Sequence, residues 1–193
     1  MLNDDLKYFC NRWIEKADNY TNDSTEDVFD RFFSLYVAYN AIYFEATIDL
    51  IENKQIGKKR TGDRVSAVRN IPVYIGQNIL SKKLLDMSDD INKIINLIKN
   101  GTFYISTKKD NVTPDPDIDK NLIRDIEIFL SKSKKRDQQK FNEAVLTFMY
   151  DVRCNMFHGK KGFDSIQKQL LIPMNSILEM LIKTSLQTNN KEQ

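Results

Sequence analysis

Residues 25–54, TEDVFDRFFSLYVAYNAIYFEATIDLIENK, decide how this chain is read. Phe29, Phe32, Phe33, Tyr36, Tyr43, Phe44 and Ile48 recur there at steps of three and four, the period of an α-helix. One long helix is predicted, with a broad aromatic stripe that also contains Asn40. Such a stripe is core before it is a ligand box, and a helix this apolar belongs at the centre of a bundle. Its start is marked by Ser24 with Asp27 three positions later, a capping box with a shorter acid.

Working outward, Leu6, Phe9, Trp13 and Ala17 predict a helix over about Asp4 to Asp18. After the long helix, GKKRTGDR is a basic loop. The segments VSAVRN and VYIGQNILSKKLLDM suggest two short helices broken at Pro72, and DDINKIINLIKN a further helix ending at Gly101. Residues 101–117, with two prolines and several aspartates, read as an exposed and poorly ordered loop, with a short strand at Phe103 to Ser106. DKNLIRDIEIFLSKSKK is amphipathic. The next helix places Phe141, Val145, Phe148, Val152 and Met156 on one buried face and stops at Gly159. The last runs from a cap at Asp164, paired with Gln167, to about Gln187, with a kink expected at Pro173. Residues 188–193 read as a frayed tail. The expectation is an all-α, single-domain helical bundle of about six to eight helices around the long aromatic one.

Bulk properties narrow the function classes. The chain has 193 residues, 41% hydrophobic and 29% charged, with a net charge of +2. That total is too mild to mark a nucleic-acid binder, although local clusters matter more than the sum. Cys10 and Cys154 fit neither a disulfide framework nor a metal spacing, and with one histidine no metal or cofactor is expected. The absence of a leader-like segment and of a membrane-length apolar run points to a reduced, cytoplasmic protein with no membrane partner. GKKRTG lacks the lysine–hydroxyl ending of a phosphate-binding P-loop. The acidic run DPDID lacks calcium-loop spacing and reads as a solvated turn.

Basic clusters stand at Lys58, Lys59, Arg60 and Arg64, at Lys132, Lys134, Lys135 and Arg136, and at Lys160 and Lys161. Each is first a solvated face. The last pair differs by adjoining the lone histidine in YDVRCNMFHGKK, residues 150–161. Residues five apart on a regular helix point more than about 90° apart, so Arg153 and His158 are not neighbours on one face. Either the helix loosens near His158, or two copies meet across a two-fold axis and share their residues. United, the pair suits metal-free RNA cleavage. An imidazole moves a proton near neutrality, and a guanidinium stabilises charge building on phosphate. Asn155 could hold the imidazole or a phosphate oxygen, and Lys160 and Lys161 could steer RNA. The plain alternative makes Arg153 a core-edge salt-bridge residue and His158 a helix cap.

VRCNMFHGKK at a helix end, preceded by the aromatic FFSLYVAYNAIYF with its internal asparagine, resembles the signature of the HEPN superfamily: an arginine, four to six residues, then a histidine. The likeness spans Asp27 to Leu186, with the middle matched by helicity alone. It implies a helical bundle that dimerises with its motifs facing each other. It further implies a metal-independent endoribonuclease, of toxin or antiviral-defence type, with Arg153 and His158 as the catalytic pair. Asn155 would be the polar residue of the motif, although it stands one place later than usual, behind Cys154. Lys160 occupies the place where members controlled by a nucleotidyltransferase antitoxin carry tyrosine. The partners implied are RNA, a second copy of the chain, and an antitoxin or regulatory protein. Some members of the superfamily bind without cutting.

Overall fold

The computed structural model describes residues 2–108, 113–131, 134, 136–157 and 165–188. Among these residues the protein is an all-α, single-domain bundle with no β-strand. Its helices are α1 (Asp4–Asp18), α2 (Thr25–Glu52), α3 (Asp63–Val65), a π-helical turn (Ser66–Asn70), α4 (Ile71–Ile75), α5 (Gln77–Asp86), α6 (Ser88–Lys99), α7 (Pro116–Leu130), α8 (Gln138–Phe157) and α9 (Ser165–Gln187). No helix among the described residues is long and apolar enough to cross a membrane.

The helix ends follow from local chemistry. Asn3 caps α1 through its side chain, which accepts the Leu6 N–H at 2.7 Å. Ser24 Oγ accepts the Asp27 N–H at 3.0 Å, and Asp27 reaches back to the Asn22 N–H at 3.2 Å, two places further than a standard box. Pro72 does not break its segment. It sits in the first turn of α4, where its missing N–H costs least, and the π-helical turn before it carries the Ile71 N–H back to Ser66. The break comes at Gly76, whose φ of 93° closes α4. The apolar run on either side thus forms two helices divided four residues later than the sequence suggests.

α2 is the central helix. α1 runs back along it, with Arg31 Nη1 donating to the Ala17 carbonyl at 2.8 Å. α9 runs parallel to it: Lys168 meets Asp23, Asn175 donates to the Val28 carbonyl at 3.1 Å, and Arg31 pairs with Glu179 at 2.7 Å. Phe29, Phe32, Tyr36, Tyr39 and Tyr43 are buried. The other side of the predicted stripe is not core: Phe33 is half-buried, Asn40 is exposed, Phe44 is 61% exposed and Ile48 is 36% exposed. Among the described residues, no element buries Phe44 or Ile48 on that side of α2. α9 continues as one helix through Pro173. α8 rests on α5 and α7, where Phe129 and Phe141 stack at 4.3 Å. Its five predicted core residues are all buried. The ends proposed at Gly159 and Asp164, the tail 189–193 and residues 109–112 lie outside the described residues.

The Glu179 clamp between α2 and α9 makes stability sensitive to acid. Burial pushes its carboxyl up, but Lys183 and Arg31 outweigh that and hold it below the ordinary 4.5. With a depressed folded-state value, the stabilisation is present above 4.5 and is lost as pH falls through the lower value. Glu179→Gln is expected to flatten the acid limb of urea stability plotted against pH. An unchanged limb would show that the clamp contributes nothing there.

Candidate active site

The last turns of α8 carry two sets of side chains. Tyr150 and Arg153, three apart, share one side, and Asp151 and Asn155, four apart, share another. Arg153 is held by rings and a carboxylate. Its guanidinium lies 5.4 Å from the Tyr36 ring centre and 6.0 Å from that of Tyr150. Nη1 is 3.5 Å from Asp63 Oδ2 and 3.9 Å from Cys154 Sγ. The side chain is 22% exposed, so the cation is partly desolvated yet reachable from outside.

Asp63 opens α3 and gathers three helices. Tyr43 of α2 donates its phenol to Oδ1 at 2.5 Å, and Tyr150 of α8 donates to Oδ2 at 2.8 Å. Burial, followed by the bond to Asp63, pushes both phenols above their ordinary value. Both phenols therefore remain donors at neutral pH. The next residue, Arg64, forms a two-pronged pair with Asp151, one prong at 3.2 Å, and lies 5.5 Å from the Tyr150 ring centre. Burial raises the Asp151 carboxyl, with Arg64 opposing the shift. Tyr150 is thus flanked by both arginines, each with its own carboxylate.

Asn155 turns elsewhere. Its Nδ2 donates to the Ile105 carbonyl at 2.8 Å. Asp119, only 1% exposed, grips the same segment by accepting the N–H groups of Ile105 and Ser106, both at 2.9 Å. Phe103, Ile105 and Ser106 are buried in consequence, so the first half of the predicted exposed loop is anchored against α8. The strand expected at Phe103 to Ser106 is replaced by an isolated bridge between Thr107 and Pro114. Arg153 and Asn155 are not brought together, and the asparagine's amide serves as a tie to this segment.

His158, Lys160 and Lys161 lie outside the described residues. The spacing of residues alone does not single out Asp63 and Tyr150 as partners of Arg153, Tyr43 as a partner of Asp63, or Arg64 as a partner of Asp151. The signals that point toward two of them are the three-residue spacing of Tyr150 to Arg153 and the place of Asp63 as a lone acid in a basic loop. None of the family models, curated proteins or solved structures compared with the chain matches it.

Proposed function

We propose that this chain is a homodimeric, metal-independent endoribonuclease of the HEPN type. The observation that supports this most is the seating of Arg153. A partly desolvated guanidinium, oriented by Asp63 and two rings, stands five residues before the single histidine. In the reaction, an imidazole takes the proton of a ribose 2′-OH, and the oxygen attacks the adjacent phosphorus. Arg153 stabilises the charge gathering on the non-bridging oxygens. The P–O5′ bond breaks, and the 5′ oxygen leaves with a proton from the histidine of the second copy. The products are a 2′,3′-cyclic phosphate and a 5′-OH. Cleavage in chelator giving these ends tests the reading, and its absence in wild-type protein would overturn it.

The second copy has a candidate surface. Asn40 lies one turn along α2 from Tyr36, and Phe44 one turn further, so the exposed side of α2 adjoins the Arg153 seat. An exposed ring of this size is suited to burial against a two-fold mate. Phe44→Asp is expected to convert dimer to monomer in sedimentation velocity and to lower cleavage with it. A dimer that persists would place the interface elsewhere.

The engagement of Asn155 with Ile105 and the presence of Cys154 after the arginine favour a second reading, a module that binds RNA, nucleotide or protein without cutting. RNA binding unchanged by His158→Ala, with no cleavage by either protein, would support it.

A further inference from the structure

We propose that the loop after α2 together with the first two residues of α3, residues 53–64, is the docking element for a single-stranded RNA backbone. The choice of RNA as the polyanion rests on the ribonuclease reading, whereas the placement of the site does not. The loop holds five cations, Lys54, Lys58, Lys59, Arg60 and Arg64, against one carboxylate, Asp63. The segment therefore carries +4 while the whole chain carries +2, and everything else sums to −2. The loop is one of the chain's three basic clusters, matched in charge by Lys132, Lys134, Lys135 and Arg136, and it is the one that adjoins the Arg153 seat through Asp63 and Arg64. Its charge steers a polyanion to that place.

The cations at the crest are also uncommitted. Lys58, Lys59 and Arg60 are exposed and form no ion pair among the described residues. Arg31, Lys93, Lys99, Lys168 and Lys183, by contrast, each face a carboxylate. Beneath the crest the backbone is fixed. The Gln55 N–H bonds the Leu50 carbonyl at 2.9 Å, and the Arg60 N–H bonds that of Gly57 at 3.0 Å. Buried Asn70 ties the Arg60 carbonyl at 2.9 Å while holding Thr47 at 3.0 Å. A fixed backbone under free cationic side chains lowers the ordering cost of binding. A Cβ added at Gly57 would meet nothing within 4 Å, and one at Gly62 would meet only Val65, at 4.0 Å, so those sides of the loop are open to a ligand.

The loop leads directly to Arg153. Asp63 and Arg64 touch Arg153, Tyr150 and Asp151, and Arg60 is only three residues earlier, about 10 Å at full extension. A strand lying on Lys58, Lys59 and Arg60 is therefore led toward the Arg153 guanidinium. Arg64, already paired with Asp151, contributes orientation more than grip.

The test uses the full chain carrying His158→Ala, a fluorescein-labelled single-stranded RNA of about 12 nucleotides, and a salt series. Adding Lys58→Gln, Lys59→Gln and Arg60→Gln is expected to weaken binding about tenfold near 0.15 M salt and to reduce the salt slope by about two. The exposed control set Lys82→Gln, Lys83→Gln and Lys93→Gln is expected to change neither. Equal affinity and slope in the loop variant, no RNA binding by the parent, or binding to phosphatidylserine vesicles in place of RNA would each overturn the proposal. Thermal melts establish that both sets fold. If binding depends on the loop but wild-type protein never cleaves, the docking element stands and the nuclease reading falls. If wild-type protein cleaves and the three loop substitutions, made with His158 intact, leave its KM unchanged, the docking element falls and the nuclease reading stands.

Discussion

Arg153→Ala and His158→Ala are each expected to lower metal-free RNA cleavage by at least about a thousandfold, near the upper range for removing a general acid–base group or an oxyanion donor. The two substitutions differ in what else they disturb. Arg153 is stacked on Tyr36 and Tyr150 and bonded to Asp63, so its loss is also expected to cost about 1–2 kcal/mol of stability. Arg153→Lys separates the two effects. It keeps the charge but loses the planar fork that stacks on rings and meets two phosphate oxygens, so activity stays low. His158→Ala is expected to leave the urea midpoint unchanged. Cleavage ends identified by mass spectrometry, together with denaturation of each variant, decide the matter. Full activity in rigorously purified His158→Ala protein would end the assignment.

Asp119→Ala is expected to cost about 3 kcal/mol or more in urea unfolding. The carboxylate is buried and accepts two backbone N–H groups, and bonds to a charged acceptor contribute about 1.5–3 kcal/mol each. Its removal leaves the Ile105 and Ser106 donors buried without that acceptor. Asp119→Asn, which keeps one oxygen, is expected to fall between. Local opening should accompany the loss, because the segment that Asp119 grips is also the one that Asn155 holds. Amide exchange at Ile105 and Ser106 is expected to accelerate in the alanine variant more than exchange in α2. A stability change under about 1 kcal/mol would mean that the segment is held by its apolar residues Phe103 and Ile105 alone.

What could be read beforehand was what depends on neighbours in sequence. The all-α class, the span of α1, the start of α2 at its serine cap and the buried face of α8 all rest on periodicity and caps within a few residues. The misplaced break at Pro72 is a near miss of the same kind. Proline's local rule marks a break at Pro72, and the π-helical turn of Ser66–Asn70 supplies the alternative that lets the chain stay helical through it.

Only the tertiary structure decided which aromatic residues of α2 are core. The repeat places Phe44 and Ile48 beside Tyr36 and Tyr43, but burial depends on which helices arrive from elsewhere in the chain, and among the described residues none buries those two. The seat of Arg153 is likewise non-local, since residues 36, 43, 63 and 150 meet around one guanidinium. The sequence by itself determined a helical bundle with Arg153 in the last turns of one helix and a lone histidine five residues further along the chain. Tertiary packing decided that Asp63 and two rings orient the arginine, that Asn155 ties down Ile105, and that the basic loop stands beside the site. A helix's period is set by bonds four residues apart, whereas a side chain's partner is set by whatever the folded chain brings within a few ångströms.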